Sequence, residues 1–196
     1  MRIPFSLLFY CQIITFGASQ TLKIFKMKKL FFLFLVVAVA SCGNKKADAI
    51  KYNDSIVGEQ EKIYALVLDM ATAISDGDYD KADAKRLDCI KQVGESKTII
   101  DKMGEFDGSD KLQKAMLSLL TFYGDKMGNE FKQMLELLSG EPDEESLQTI
   151  QDLNANVTAE ESKLDANLKK MQNEFAAKYD FDIKANEMQK EIDKIK

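Results

Sequence analysis

From about residue 47 to about residue 179, apolar side chains recur every three or four positions, and three short interruptions divide the recurrence. These are Asp76-Gly77-Asp78, Glu105-Phe106-Asp107-Gly108, and Gly140 to Pro142. Spacings of three and four put apolar residues on one face of an α-helix, whereas a strand would alternate with period two, a pattern the chain lacks. Each such helix must bury its stripe against a neighbour. The pattern therefore predicts an all-α fold, with four long amphipathic helices in an antiparallel up-down four-helix bundle over residues 50–183.

The first helix is expected from about Ala47 to Ser75, with Ile56, Ile63 and Met70 at intervals of seven and Val67 and Ile74 between them. Gln60 takes the remaining stripe position. Gly77 can adopt the left-handed conformation that ends a helix, and an Asp beside it can cap the next. The second helix, about Tyr79 to Met103, shows Ile90, Val93, Ile100 and Met103, interrupted by Arg86 and Lys97. Phe106 follows as a plug for the turn. A third helix is expected from about Ser109 to Ser139, with a stripe running from Leu112 through Met116, Leu119, Tyr123, Met127, Phe131 and Met134 to Leu138. Gly124 and Gly128 lie inside it, each costing about 1 kcal/mol against Ala. They signal either a close helix approach or a bend. The fourth helix opens on Asp143-Glu144-Glu145, acids that suit the positive end of the helix dipole, and continues to about Tyr179. Its stripe includes Asn154 and Glu161. Residues 184–196 carry Met188, Ile192 and Ile195, a short fifth helix or a frayed extension.

The N-terminal part obeys a different pattern. Met27-Lys28-Lys29 precedes an apolar run from Leu30 to Ala38, followed by Val39-Ala40-Ser41-Cys42-Gly43. A basic start, a short apolar middle and small residues before a cleavage point are the parts of a secretory signal. The run is shorter than the roughly 20 residues that span a bilayer. With Cys directly after the small residues, it looks like a bacterial lipoprotein signal, cut between Ser41 and Cys42 with lipid added to Cys42. Residues 27–41 are then the signal peptide and 42–49 a tether. A signal in mid-chain suggests that translation starts at Met27 and that residues 1–26 are a gene-start artefact; the alternative is a genuine extension.

Charge and composition narrow the function. Five of the 27 Lys and Arg precede Cys42 and none of the 32 Asp and Glu does, so the remainder carries about −10. An acidic domain is a poor partner for nucleic acid or for anionic lipid headgroups, so the membrane contact is expected through acyl chains on Cys42. The chain contains no His, which removes Ser-His-Asp and Cys-His catalysis and the Glu-x-x-His di-iron sites of helical bundles. Beyond Cys42, Cys89 stands alone, and it reads as a small helix residue with no disulfide partner. No cofactor is implied.

Candidate sites are few. Asp76, Asp78 and Asp80, with Asp83 nearby, invite a Ca²⁺ reading. An EF-hand loop beginning at Asp76 would need Gly at position 81 and Glu at position 87, where Lys81 and Leu87 stand, so helix capping competes with it. Gln60, Asn154 and Glu161 form a possible polar layer: a ligand cavity, a stripe edge or a register device. Phe122, Tyr123, Met127, Phe131 and Met134 read as core packing. Asp54-Ser55-Ile56 looks like the O-glycosylation signal of exported Bacteroidetes proteins, with Ser55 as acceptor.

The domain is similar to a family of helical bacterial lipoproteins of spirochaetes and Bacteroidetes, described as surface proteins. The similarity rests on Tyr52-Asn53-Asp54-Ser55-Ile56-Val57 with Glu59-Gln60, Phe106-Asp107-Gly108, Leu120 to Tyr123, and Phe175-Ala176-Ala177-Lys178-Tyr179-Asp180-Phe181. It implies an exported bundle and carries no established activity. Surface-export signals of Bacteroidetes are acidic just after the lipidated Cys, whereas Gly43-Asn44-Lys45-Lys46 is basic. A periplasm-facing position on the outer membrane is therefore expected. Taken together, these features predict a non-enzymatic interaction or structural module, with an envelope protein or ligand as its unknown partner. A small-ligand or metal-ion binding lipoprotein is the alternative.

Overall fold

A computed structural model describes residues 45–140 and 142–183. Five helices follow in order: α1 (Lys45–Ser75), α2 (Tyr79–Met103), α3 (Lys111–Gly128), α4 (Glu130–Ser139) and α5 (Glu144–Lys178). α3 and α4 together form one arm, so the architecture is the expected all-α bundle of four arms. The described residues contain no strand; an isolated bridge pairs Phe106 with Ser109. Ser41, Cys42 and the 184–196 segment lie outside the described residues.

α1 packs along α2, α2 along α3 and α4, and α5 along the same two helices. The seam between α1 and α5 is the most open between neighbouring arms. The core runs the length of the bundle through the fully buried Ile56, Ile63, Val67 and Met70 of α1, Cys89 and Ile100 of α2, and Met116, Leu119 and Met127 of α3. Phe131 and Met134 of α4 and Ile150 and Val157 of α5 complete it. The aromatic and Met cluster of the third arm is therefore core, as expected.

Three expectations are corrected. Lys45–Ala49, assigned to a tether, form the first turn of α1, because Ala49 is fully buried and Lys46 pairs with Asp180 at 3.1 Å. The third helix is not continuous to Ser139: it breaks at Asn129 (φ −119°, ψ −81°). Side-chain donors add to the backbone bonds there, where the Asn129 N–H still reaches the Asp125 carbonyl at 3.1 Å. The Arg86 Nη1 donates to the Met127 carbonyl at 2.8 Å, and the Asn129 side-chain amide donates to the Asp125 carbonyl at 2.9 Å. Gly124 does the other work expected of a glycine, since a Cβ there would sit 3.2 Å from Val93 Cγ1 of α2.

The stripe of α2 is also rotated from the expected one. Ala82, Arg86, Cys89, Val93, Ser96 and Ile100 are its buried residues, while Ile90 and Met103 are half-buried at its edge. Arg86 is a member of this stripe rather than an interruption of it.

Candidate functional site

The acidic turn is built for capping. Gly77 takes φ +73°, and the Asp78 carboxylate accepts the Lys81 backbone N–H at 3.0 Å, satisfying an otherwise unpaired donor at the start of α2. No group of three or more His, Cys, Asp or Glu among the described residues is arranged to hold a metal ion, so Asp76, Asp78 and Asp80 are not brought together as ligands.

The polar stripe residues do lie inside the bundle. Gln60 and Glu161 are fully buried and Asn154 nearly so. Gln60 Nε2 donates to the Tyr64 hydroxyl at 2.9 Å. The Tyr123 hydroxyl of α3 lies 3.3 Å from both the Tyr64 oxygen of α1 and Glu161 Oε1 of α5, within reach of either acceptor. Burial holds the Tyr123 hydroxyl protonated far above its usual range, reinforced by Tyr64 and the charges of Glu161 and Asp165. This belt links helices through hydrogen bonds, as a register device does. Asn154 is separate from it, and its Oδ1 meets no hydrogen-bond partner among the described residues.

Further buried polar pairs were not legible as pairs. Ser96 donates to Glu59 Oε2 at 2.8 Å between α2 and α1, and Gln172 Nε2 donates to Asn53 Oδ1 at 3.0 Å across the open seam. Gln113 Nε2 donates to the Ile100 carbonyl at 2.9 Å. Cys89 is fully buried, which pushes its thiol up to about 12 and keeps it from acting as a nucleophile. Ser55 is exposed on α1, and its hydroxyl donates to the Lys51 carbonyl at 2.8 Å.

The richest surface is the end that holds the start of α1, the end of α2, the start of α3 and the end of α5. The connection between α2 and α3 turns tightly at Asp107 (φ +51°) and Gly108 (φ +74°), with Phe106 and Ser109 exchanging backbone hydrogen bonds at 2.9 and 3.1 Å. Positive φ at both central residues explains why Asp-Gly stands there. The Phe106 ring lies 5.1 Å from Tyr52, 5.4 Å from Phe175 and 5.2 Å from Tyr179, centroid to centroid. The Tyr52 hydroxyl donates to the Gly104 carbonyl at 2.7 Å.

Asp107 gathers the charges. It accepts from Lys45 Nζ at 3.0 Å and from the Tyr179 hydroxyl at 3.0 Å, with Lys178 at 3.7 Å. The hydrogen bond from Lys45 leads the causes that hold its carboxyl below the usual range. Tyr52, Phe106, Asp107, Phe175 and Tyr179 therefore meet at this end.

Two clefts open at the same end. The larger, about 530 Å³, lies on the α1–α5 seam between Ile50 and Asp54 on one side and Ala177, Phe181 and Asp182 on the other. The smaller, about 270 Å³, lies between the start of α3 and the end of α5. No family model, curated protein or solved structure matches the chain.

Proposed function

We propose that this chain is a lipid-anchored envelope protein of the helical lipoprotein family it resembles, a non-enzymatic bundle that acts as an interaction or structural module. The observation that carries the reading is the distance between the anchor signal and the fold. Cys42 stands three positions before Lys45, the first residue of α1. At about 3.6 Å per residue, an acyl-bearing Cys42 lies within about 11 Å of the bundle. The end that carries the aromatic cluster and both clefts then faces the lipid, and the opposite end, with the Asp78 and Asp143 caps, is presented to partners. Multiple acylation supplies the hold that one chain alone would not.

The non-enzymatic part is supported by the absence of His from the sequence and by the use of Gln60, Tyr64, Tyr123 and Glu161 in contacts between helices. The alternative, ligand or metal-ion binding at the polar stripe or the acidic turn, would have to redirect residues already engaged, Asp78 among them. The basic residues after Cys42 support a periplasm-facing position over the cell surface.

Fractionation of cells expressing the wild type and Cys42→Ala tests the anchor. The wild type is expected in the membrane pellet and Cys42→Ala in the soluble fraction or as uncleaved precursor. A Cys42→Ala chain that is cleaved normally and stays in the membrane contradicts the reading. Thermal shift with Ca²⁺ and a metabolite panel tests the alternative, which predicts a saturable rise in melting temperature.

A further inference from the structure

The net charge of the described bundle sits in one half of its length. The Glu59–Ser96 hydrogen bond and, one turn further on, the contacts of Tyr123 with Tyr64 and Glu161 fix which residues of the four arms stand level with one another. A plane at the level of Glu59 and Ser96 halves the bundle. The half that holds the start of α1, residues 45–59, 96–119 and 166–183, carries ten basic and ten acidic side chains. The other half, residues 60–95, 120–140 and 142–165, carries eight basic and eighteen acidic ones. Formal charge is therefore balanced in the first half and −10 in the second. Balance in the first half is also local: Lys45 pairs with Asp107 at 3.0 Å, Lys46 with Asp180 at 3.1 Å and Lys114 with Asp110 at 2.6 Å. In the second half Asp76, Asp88, Asp125 and Asp152 are among the exposed acids that make the surplus.

We propose, resting on the lipid anchor at Cys42, that this polarity stands the bundle upright on an anionic phospholipid surface, neutral end down and acidic end away. Acyl chains hold one end of the domain but leave its tilt free about the short link from Cys42 to Lys45. At 1.5 Å per residue α1 is about 45 Å long, whereas salt at 0.1 M confines the potential of a charged surface to about 10 Å. A bundle lying flat brings the surplus acids into that layer, where each is repelled by the lipid. An upright one keeps them more than about 20 Å away and sets only the balanced half against the surface. The sides offer little to hold a flat pose. Among the described residues, the exposed large hydrophobics are Leu87, Ile99 and Leu147. Leu87 and Ile99 stand about a third of a turn out of line on α2, and Leu147 is on α5.

The height of the acidic end tests this in the full lipoprotein reconstituted in vesicles. A fluorophore on Ser75→Cys, exposed at the end of α1, transfers energy to acceptor-labelled lipid; Cys89 is buried and the lipid occupies the Cys42 thiol, so the label reports one site. In phosphatidylcholine with about 30% phosphatidylglycerol at 0.1 M salt, the label is expected about 45 Å above the surface. In phosphatidylcholine alone, or at 1 M salt where the screening length is about 3 Å, free tilting should lower its mean height to about half of that. Combining Asp76→Lys, Asp88→Lys, Asp125→Lys and Asp152→Lys brings the second half to about −2 and should give the lower height on anionic vesicles as well. Circular dichroism checks that this variant folds, and the lipid and salt series on the native acids stands without it. A vesicle-bound bundle whose label height is the same on anionic and neutral lipid, or lower on anionic lipid, overturns the proposal and leaves the anchor intact. A chain that does not stay with the vesicles overturns the anchor and the proposal together.

Discussion

At one end of the bundle, Tyr52, Phe106, Phe175 and Tyr179 come from three distant parts of the chain to close over the turn between α2 and α3. At the other, Asp78 and Asp143 each accept a backbone N–H three residues ahead, and Gly77 supplies the reversal. The first closure is long-range and rests on aromatic packing. The second is local and rests on satisfying the orphan donors of helix starts. A long-range closure ties the stability of α1, α5 and the turn together. A local one stabilises each helix start by itself.

The largest effect should therefore come from the aromatic end. Phe175→Ala removes a nearly buried ring with four aromatic neighbours and should lower the unfolding free energy by about 3–5 kcal/mol in urea titration. A cost below about 1 kcal/mol would place the closure elsewhere. Arg86→Ala tests the junction between α3 and α4, away from the aromatic end. Losing the bond to the Met127 carbonyl, and the packing of a buried guanidinium, should cost about 2–3 kcal/mol.

Asp78→Ala at the opposite end should cost only about 1 kcal/mol, the usual value of a side-chain cap, without changing the denaturant slope. The smallest effect belongs to Asp107, which is exposed. Its folded carboxyl is held below its ordinary value by Lys45 and Tyr179, so its contribution is present above that value and is lost as pH falls through the folded one. Asp107→Asn should therefore make the decline in stability below about pH 4 shallower than in the wild type. An unchanged acid limb would show that the Lys45 contact adds nothing in solution.

The same contrast explains what the sequence made legible. Gly77-Asp78 and Gly140 through Asp143 marked helix ends because capping uses residues adjacent in the chain. The bounds of α2 were legible for that reason, since Asp78 and Gly104 delimit it. The α2 stripe was not, because Arg86 and Ser96 occupy core positions and polar side chains hide a periodic apolar signal. Their partners, the Met127 carbonyl and Glu59, lie 41 and 37 residues away, and no local spacing encodes such a distance. Phe106 could be foreseen as a plug, but not the three rings it meets. Gln60 and Glu161 were visible as polar stripe positions, while their link through Tyr64 and Tyr123 depends on the register of helices that only the folded bundle sets.

The account turns on Cys42. Intact-mass and N-terminal peptide mass spectrometry of the protein purified from its native membrane tests it most directly. The account predicts a chain that begins at Cys42 and carries the mass of a lipid group on that residue. A mature chain with an unmodified Cys42, or one that retains the residues before it, would contradict it.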